Sequence, residues 1–305
     1  MQNKKFHSGF ISIIGRPNVG KSALLNRFLQ EKIAIVSDKP QTTRNRILGV
    51  KHRADGQMVF LDTPGIHKPK YKLNQMMVQV ARATLEEVDL IFFVAEATDA
   101  PRFRAGGSIR AGGDLYIMDW LKEIKTPVFL VLNKIDLIKK EQTLPMVEVY
   151  CRQFPFAEVV PVSALTGGNT DRLLDIAATY LPEGEPFFPE DTVTDQPVRF
   201  IASELIREKI LHHTREEIPY SVAVLIEEFV EEKDRPTHIR ATLLVERESQ
   251  KGILIGKSGE MLKTVGKEAR LEIERLLGTK LFLELWVKVE KNWRQDEALL
   301  SKLVF

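Results

Sequence analysis

The chain has 305 residues, 44% of them hydrophobic and 28% charged, with a formal net charge of +2. That balance excludes a disordered or strongly polyionic chain and describes a soluble globular protein long enough for two ordinary domains. A single cysteine, Cys151, excludes an internal disulfide and a multi-cysteine zinc site, which fits a reducing cytoplasm.

The opening MQNKKFHSGFISIIG has the basic-then-apolar order of a signal peptide. Its apolar run is too short and leads straight into a glycine loop, so it reads as a buried strand. No apolar stretch approaches the roughly 20 residues that span a bilayer. From Phe10 to about Leu181 short apolar runs (FISIIG, RILGVKH, QMVFLDT, VDLIFFVAEA, PVFLVLNK, AEVVPVSA) alternate with segments of helical period. Several runs are apolar throughout, as in strands covered on both faces, so the expected fold is α/β with a mostly parallel sheet. RAGGSIRAGGD repeats Arg104–Gly107 as Arg110–Gly113. Two copies are too few for a solenoid, and the glycines predict a flexible surface loop without an assigned function. LPEGEPFFPEDTVTDQP, with four prolines, predicts an extended linker, placing domains at 1–181 and 198–305 around a linker at 182–197. Beyond Pro197 come a helical-period segment, two strand-like runs, a glycine turn opening an amphipathic helix, a third alternating strand and a short terminal helix: a small α+β unit.

GRPNVGKS, Gly15 to Ser22, satisfies G-x-x-x-x-G-K-[ST] between an apolar strand and a helix. Gly15 and Gly20 let the backbone wrap so that its N–H groups converge on phosphate oxygens. Lys21 brings a compact positive charge to the β- and γ-phosphates, and the Ser22 hydroxyl is a Mg²⁺ ligand. NKID, Asn133 to Asp136, follows an apolar strand and selects the base. A carboxylate at Asp136 accepts from both N1–H and the 2-amino group of guanine, whereas adenine lacks the second donor. Sites built on such bonds reject analogues by about 10⁴. In VSAL, Ser163 and Ala164 offer backbone N–H groups to the guanine O6. DTPG, Asp62 to Gly65, offers a carboxylate to Mg²⁺ through water and the Gly65 N–H to the γ-phosphate. Upstream, PQTTRN offers a threonine hydroxyl as second Mg²⁺ ligand, with Thr43 favoured over Thr42. Release of both segments on loss of the γ-phosphate would make an order–disorder switch.

A second GKS, Gly256 to Ser258, fails the phosphate-loop pattern because Lys251 stands where glycine is required. It matches instead G-x-x-G, Gly256 to Gly259, opening a helix, the mark of a KH domain, whose loop clamps about four nucleotides of single-stranded RNA. The residues expected to bind RNA are Ile255, Gly256, Lys257, Ser258, Gly259 and Lys263. Ten bases fall between Lys251 and Arg294, whereas acids dominate from Glu216 to Asp234, which makes one basic edge. Pairing of these bases with helix acids such as Glu268, Glu272 and Glu274 is the alternative. Trp293, beside Lys291 and Arg294, is a candidate for base stacking or for the core.

The set GRPNVGKS, TTRNR, DTPG, NKID and SAL, in this order, resembles the GTPase domain of the Ras superfamily, and within it the Era family of bacterial GTPases. The similarity runs from about Ser8 to Phe305. It implies a phosphate-loop GTPase domain with a mostly parallel sheet, followed by a smaller α+β type II KH domain. It also implies nucleotide contacts from Gly15, Arg16, Pro17, Asn18, Val19, Gly20, Lys21, Ser22, Asp62, Thr63, Pro64, Gly65, Ile66, Asn133, Lys134, Ile135, Asp136, Ser163 and Ala164. Mg²⁺ would fall to Ser22, Thr43 and Asp62, and catalytic roles to Lys21, Thr43 and Gly65. Ile66 replaces the glutamine that orients water in Ras-like enzymes, so slow intrinsic hydrolysis carried by electrostatics is expected. Asn18 resembles the asparagine that related GTPases use to hold K⁺, with a turn-stabilising role as the alternative. The resemblance further implies a monomeric switch between GTP and GDP that binds the 3′ end of 16S ribosomal RNA in 30S subunit assembly, in the cytoplasm or peripherally on the inner face of the membrane. Two other readings stay open: a signalling GTPase whose C-terminal domain binds a protein, and an RNA-binding scaffold with a vestigial nucleotide site.

Overall fold

The structure is a computed structural model describing residues 5–39, 42–66, 72–85, 87–98, 112–231 and 235–303. The chain divides into two compact units, one formed by most of the chain up to Asp195 and the other chiefly by Gln196 onward. The repeated segment from Arg104 through Ala111 lies outside the described residues, as do Pro40 and Gln41.

In the first unit each apolar run is a strand. These are β1 (His7–Gly15), β2 (Ile47–Arg53), β3 (Gly56–Asp62), β4 (Leu90–Glu96), β5 (Val128–Asn133) and β6 (Glu158–Pro161). They are ordered β2-β3-β1-β4-β5-β6, and all pairings are parallel except β2 with β3. The helices are α1 (Lys21–Leu29), α2 (Lys72–Ala83), α3 (Gly112–Leu121), α4 (Lys140–Cys151) and α5 (Thr170–Ala178). Because strand side chains alternate, neighbouring residues serve opposite layers. Phe60, Phe92 and Phe129 stack with Phe28 of α1 on one face. Phe93, one residue on from Phe92, packs with Tyr150 of α4 and Phe156 on the other. All of these rings except Phe156 are essentially fully buried, each worth about 1.5–3 kcal/mol of transfer free energy. This two-sided burial is why the strands read as unbroken apolar runs. Strand order reverses at β1, with β3 on one side and β4 on the other, and the loops after the parallel strands β1, β3, β5 and β6 gather at the carboxyl edge, where open α/β sheets bind ligands.

The proline-rich segment is extended and tied to this unit. Ser8 donates to the Glu185 carbonyl, Gln57 to that of Phe188, Val50 N–H to that of Val193 and Thr194 to that of Leu48. The backbone thus satisfies the edge of β2 without becoming a strand. The boundary between the units falls after Asp195.

The second unit comprises α6 (Val198–His213), α7 (Ile218–Ser221), β7 (Ala223–Val230), β8 (Thr237–Val245), α8 (Glu248–Ile255), α9 (Glu260–Leu277), β9 (Leu281–Val289) and α10 (Glu297–Leu303). The sheet order is β7-β8-β9, antiparallel then parallel. Helix α9 turns Val265, Ala269 and Ile273 inward at helical spacing and ends on Gly278 in the left-handed region. Lys209 of α6 bonds Glu272 of α9 at 2.6 Å. Trp293 is 1% exposed and donates from Nε1 to the Ser221 carbonyl, so it is a core residue and is closed to base stacking.

Candidate nucleotide and RNA sites

The loop after β1 is shaped by local geometry. Gly20 takes φ 97° and packs so tightly on the Asn133 amide that a Cβ would collide with it. Lys21 then opens α1, 5% exposed, with Nζ donating to the carbonyls of Gly15 (3.3 Å) and Arg16 (3.0 Å). Burial, helped by the neighbouring Arg16 charge, pushes the Lys21 ammonium down to about 8 against the attraction of Asp62. An anion brought to Lys21 would restore the counter-charge and could replace the loop carbonyls as its partners.

Three oxygens meet beside Lys21. The Ser22 hydroxyl donates to Asp62 Oδ2 at 2.7 Å and lies 2.7 Å from Thr43 Oγ1. Asp62 is fully buried and its Oδ1 has no hydrogen-bond partner among the described residues. Burial raises its pKa to about 6 despite Lys21, Ser22 and Thr43. A buried carboxylate with an oxygen to spare among hydroxyls is a hard-cation donor set, so the residues fit Mg²⁺. The neighbouring Thr42 hydroxyl is engaged elsewhere, donating to the Lys39 carbonyl at 2.6 Å.

After Asp62, Thr63 bonds back to the Ile13 carbonyl and the Ile66 N–H to that of Gly15 (3.1 Å). Gly65 sits against Pro17, where a Cβ would come within 2.7 Å of Pro17 Cα. The Ile66 side chain is 1% exposed and belongs to the sheet core, so it is turned away from any water at the phosphates.

Asn133 joins three loops, its Nδ2 donating to the Val19 carbonyl at 2.8 Å and its Oδ1 accepting from Ala164 N–H at 3.0 Å. Lys134, at φ 65°, turns the chain and pairs with Glu96 at 3.0 Å. Ile135 N–H donates to the Val162 carbonyl. Asp136 is exposed and held at 2.5 Å by the Ser163 hydroxyl. The backbone N–H groups of Ser163 and Ala164 already have partners, Gly168 O and Asn133 Oδ1, so guanine O6 would have to share them. Asn18 adopts a left-handed φ of 65°. Arg27 was not anticipated from sequence: its Nε donates to the Ala164 carbonyl and so steadies the base loop from α1.

In the second unit Gly256 (φ 74°) and Gly259 (φ 82°) bracket Lys257 and Ser258 between α8 and α9. A Cβ on Gly256 would meet Met261 at 2.7 Å, while nothing lies within 4 Å of one on Gly259. The turn therefore closes on the protein at one glycine and opens to solvent at the other. Lys257, Lys263 and Lys267 are exposed and pair with no carboxylate among the described residues. Further along the basic stretch, Lys280 pairs with Glu274, Lys288 with Glu290 and Arg294 with Glu246. Lys257, Lys263 and Lys267 thus place positive charge on the turn and the first half of α9, with the exposed Arg270 and Arg275 further along the same helix. On α8, Ile253 is 52% exposed.

Residues 10–134 match the family model described as 50S ribosome-binding GTPase, and residues 217–294 that of the KH domain. The chain is 54% identical over 296 residues to GTPase Era of Staphylococcus haemolyticus, covering 97% of this chain and 96% of that protein. It is similar to Era in a complex with MgGDPNP and nucleotides 1506–1542 of 16S ribosomal RNA (43% identity, TM-score 0.92, 98% of both chains). It is likewise similar to an Aquifex aeolicus Era variant bound to GDP·AlF4⁻ (42% identity, TM-score 0.91, 98% of this chain and 99% of that one).

Proposed function

Because this chain belongs to the Era family of GTPases, we propose that it is a GTP-driven switch that binds the 3′ end of 16S ribosomal RNA through the Gly256–Gly259 turn during 30S subunit assembly. The observation that carries the RNA assignment is the glycine turn, open to solvent at Gly259 and flanked by the exposed Lys257, Lys263 and Lys267. RNA phosphodiesters fit there against close backbone and a helix N-terminus.

The hydrolytic site works by positioning and electrostatics. Lys21 and the loop N–H groups hold the β- and γ-phosphates; Ser22, Thr43 and Asp62 hold Mg²⁺, which neutralises charge developing on the phosphate oxygens. Gly65 reads the γ-phosphate through its N–H, and Asp136, pinned by Ser163, reads guanine. No side chain among these abstracts a proton, and the buried Ile66 orients no water, so the intrinsic rate is low. Asn18 is assigned to a K⁺ site beside the phosphates, which equal rates in potassium and sodium buffers would refute.

We place the protein in the cytoplasm, with peripheral membrane contact taken from family resemblance alone. No helix among the described residues is long and apolar enough to cross a membrane. The test of the RNA assignment is binding of a 16S 3′-terminal oligonucleotide by wild type and Gly259→Asp. The added carboxylate should repel the phosphodiesters and lower affinity at least about tenfold. Unchanged affinity would refute the assignment and favour a protein-binding second unit.

A further inference from the structure

The repeated glycine-arginine segment ends at Gly112-Gly113-Asp114, where α3 begins. Asp114 is 0% exposed, and both its oxygens are engaged. Arg16, the second residue of the phosphate loop, donates from Nε to Oδ1 at 2.7 Å, and Tyr150 of α4 donates from its hydroxyl to Oδ2 at 2.9 Å. Gly113 makes the room: a Cβ there would stand 2.6 Å from Arg16 Cδ. One glycine, one carboxylate and one phenol, from two helices distant in sequence, thus form a socket for a phosphate-loop side chain.

The socket connects to the reacting end of the site. The Arg16 carbonyl accepts from Lys21 Nζ, and the next residue, Pro17, is the surface on which Gly65 rests. The preceding Gly15 carbonyl receives the Ile66 N–H. Whatever fixes Arg16 therefore fixes the stretch that carries both the lysine partner and the seat of Gly65.

We propose that Asp114, seated by Gly113 and Tyr150, is a positioning residue for GTP: it anchors Arg16 and so holds the phosphate loop against the Gly65 segment that reads the γ-phosphate. Charged partners form the stronger class of hydrogen bond, and losing one loosens the loop without removing a phosphate ligand. A buried ion pair serving stability alone would, when weakened, lower the melting temperature and affect both nucleotides alike. A positioning role predicts discrimination, because GDP lacks the phosphate that Gly65 contacts.

The inference rests on the nucleotide site proposed above, and its test separates the two. Affinities of the full-length protein for a non-hydrolysable GTP analogue and for GDP are measured in wild type, Asp114→Asn and Gly113→Ala, with nucleotide-free melting temperatures alongside. Asp114→Asn removes the charge; Gly113→Ala crowds Arg16 and leaves the charge in place. Each should weaken the GTP analogue about tenfold and GDP no more than about threefold, the scale of one charge-assisted hydrogen bond. Equal losses for the two nucleotides, or wild-type affinities in both variants, would overturn the socket. If Asp114→Asn does not fold, Gly113→Ala decides alone. Failure of the wild type to bind either nucleotide would instead overturn the site itself.

Discussion

Asp136 is one exposed carboxylate, and in the function proposed above the choice of base turns on it. The Ser163 hydroxyl fixes its orientation, and its two oxygens match the two guanine donors. Asp136→Asn puts an amide donor where guanine also donates, so GTP affinity should fall about 10²-fold with no gain for ATP, as read by competition binding. At Asp62 the sign of the pH dependence follows from burial, which raises its pKa from 3.8 to about 6. In the metal-free fold its protonation is stabilising at low pH, and that contribution is lost as pH rises through about 6. Mg²⁺ takes the charged form and competes with this proton. The Mg²⁺-dependent rise in melting temperature of the GDP complex should therefore be full near pH 8 and shrink as pH falls toward about 5. A rise independent of pH over that range would remove Asp62 from the metal site. The residue types of the site were legible because each motif is short and local. Its cross-links were not: Arg16 meets Asp114 and Asn133 meets Val19 across about a hundred residues of chain, and no local pattern records such pairs.

Among the elements, every apolar run between Phe10 and Leu181 is a strand, since burial on both faces leaves a signal that needs no partner to be read. Phe92→Ala, at the centre of the aromatic stack, should cost about 3–5 kcal/mol in urea denaturation of the first unit. Less visible were the four-residue α7 and the docking of the proline-rich strap, because proline composition excludes helix and central strand without revealing what the backbone carbonyls will accept. The burial of Trp293 likewise depends on the Ser221 carbonyl, distant in sequence. On α9, Lys263 and Lys267 lie four residues apart on one exposed face. Replacing either with alanine should reduce the slope of log affinity against log salt by about 0.7 for single-stranded RNA, with similar losses for all sequences. An unchanged slope would place the strand elsewhere.

At the scale of the whole molecule the two GKS copies illustrate how context assigns chemistry. The first lies at the carboxyl edge of a parallel sheet with a carboxylate, two hydroxyls and a guanine reader around it. The second lies in a small α+β unit between α8 and α9, with exposed lysines on the turn and along α9. We propose that one handles a triphosphate and the other a strand of phosphodiesters. The central claim is that the first governs the second. Its most direct test is the affinity of the full-length protein for a 16S 3′-terminal oligonucleotide, measured in saturating GTP analogue and in saturating GDP at one salt concentration. A switch predicts an affinity ratio of about fivefold or more in favour of the GTP state, the scale of ordinary coupling between sites. Equal affinities in the two states would contradict it.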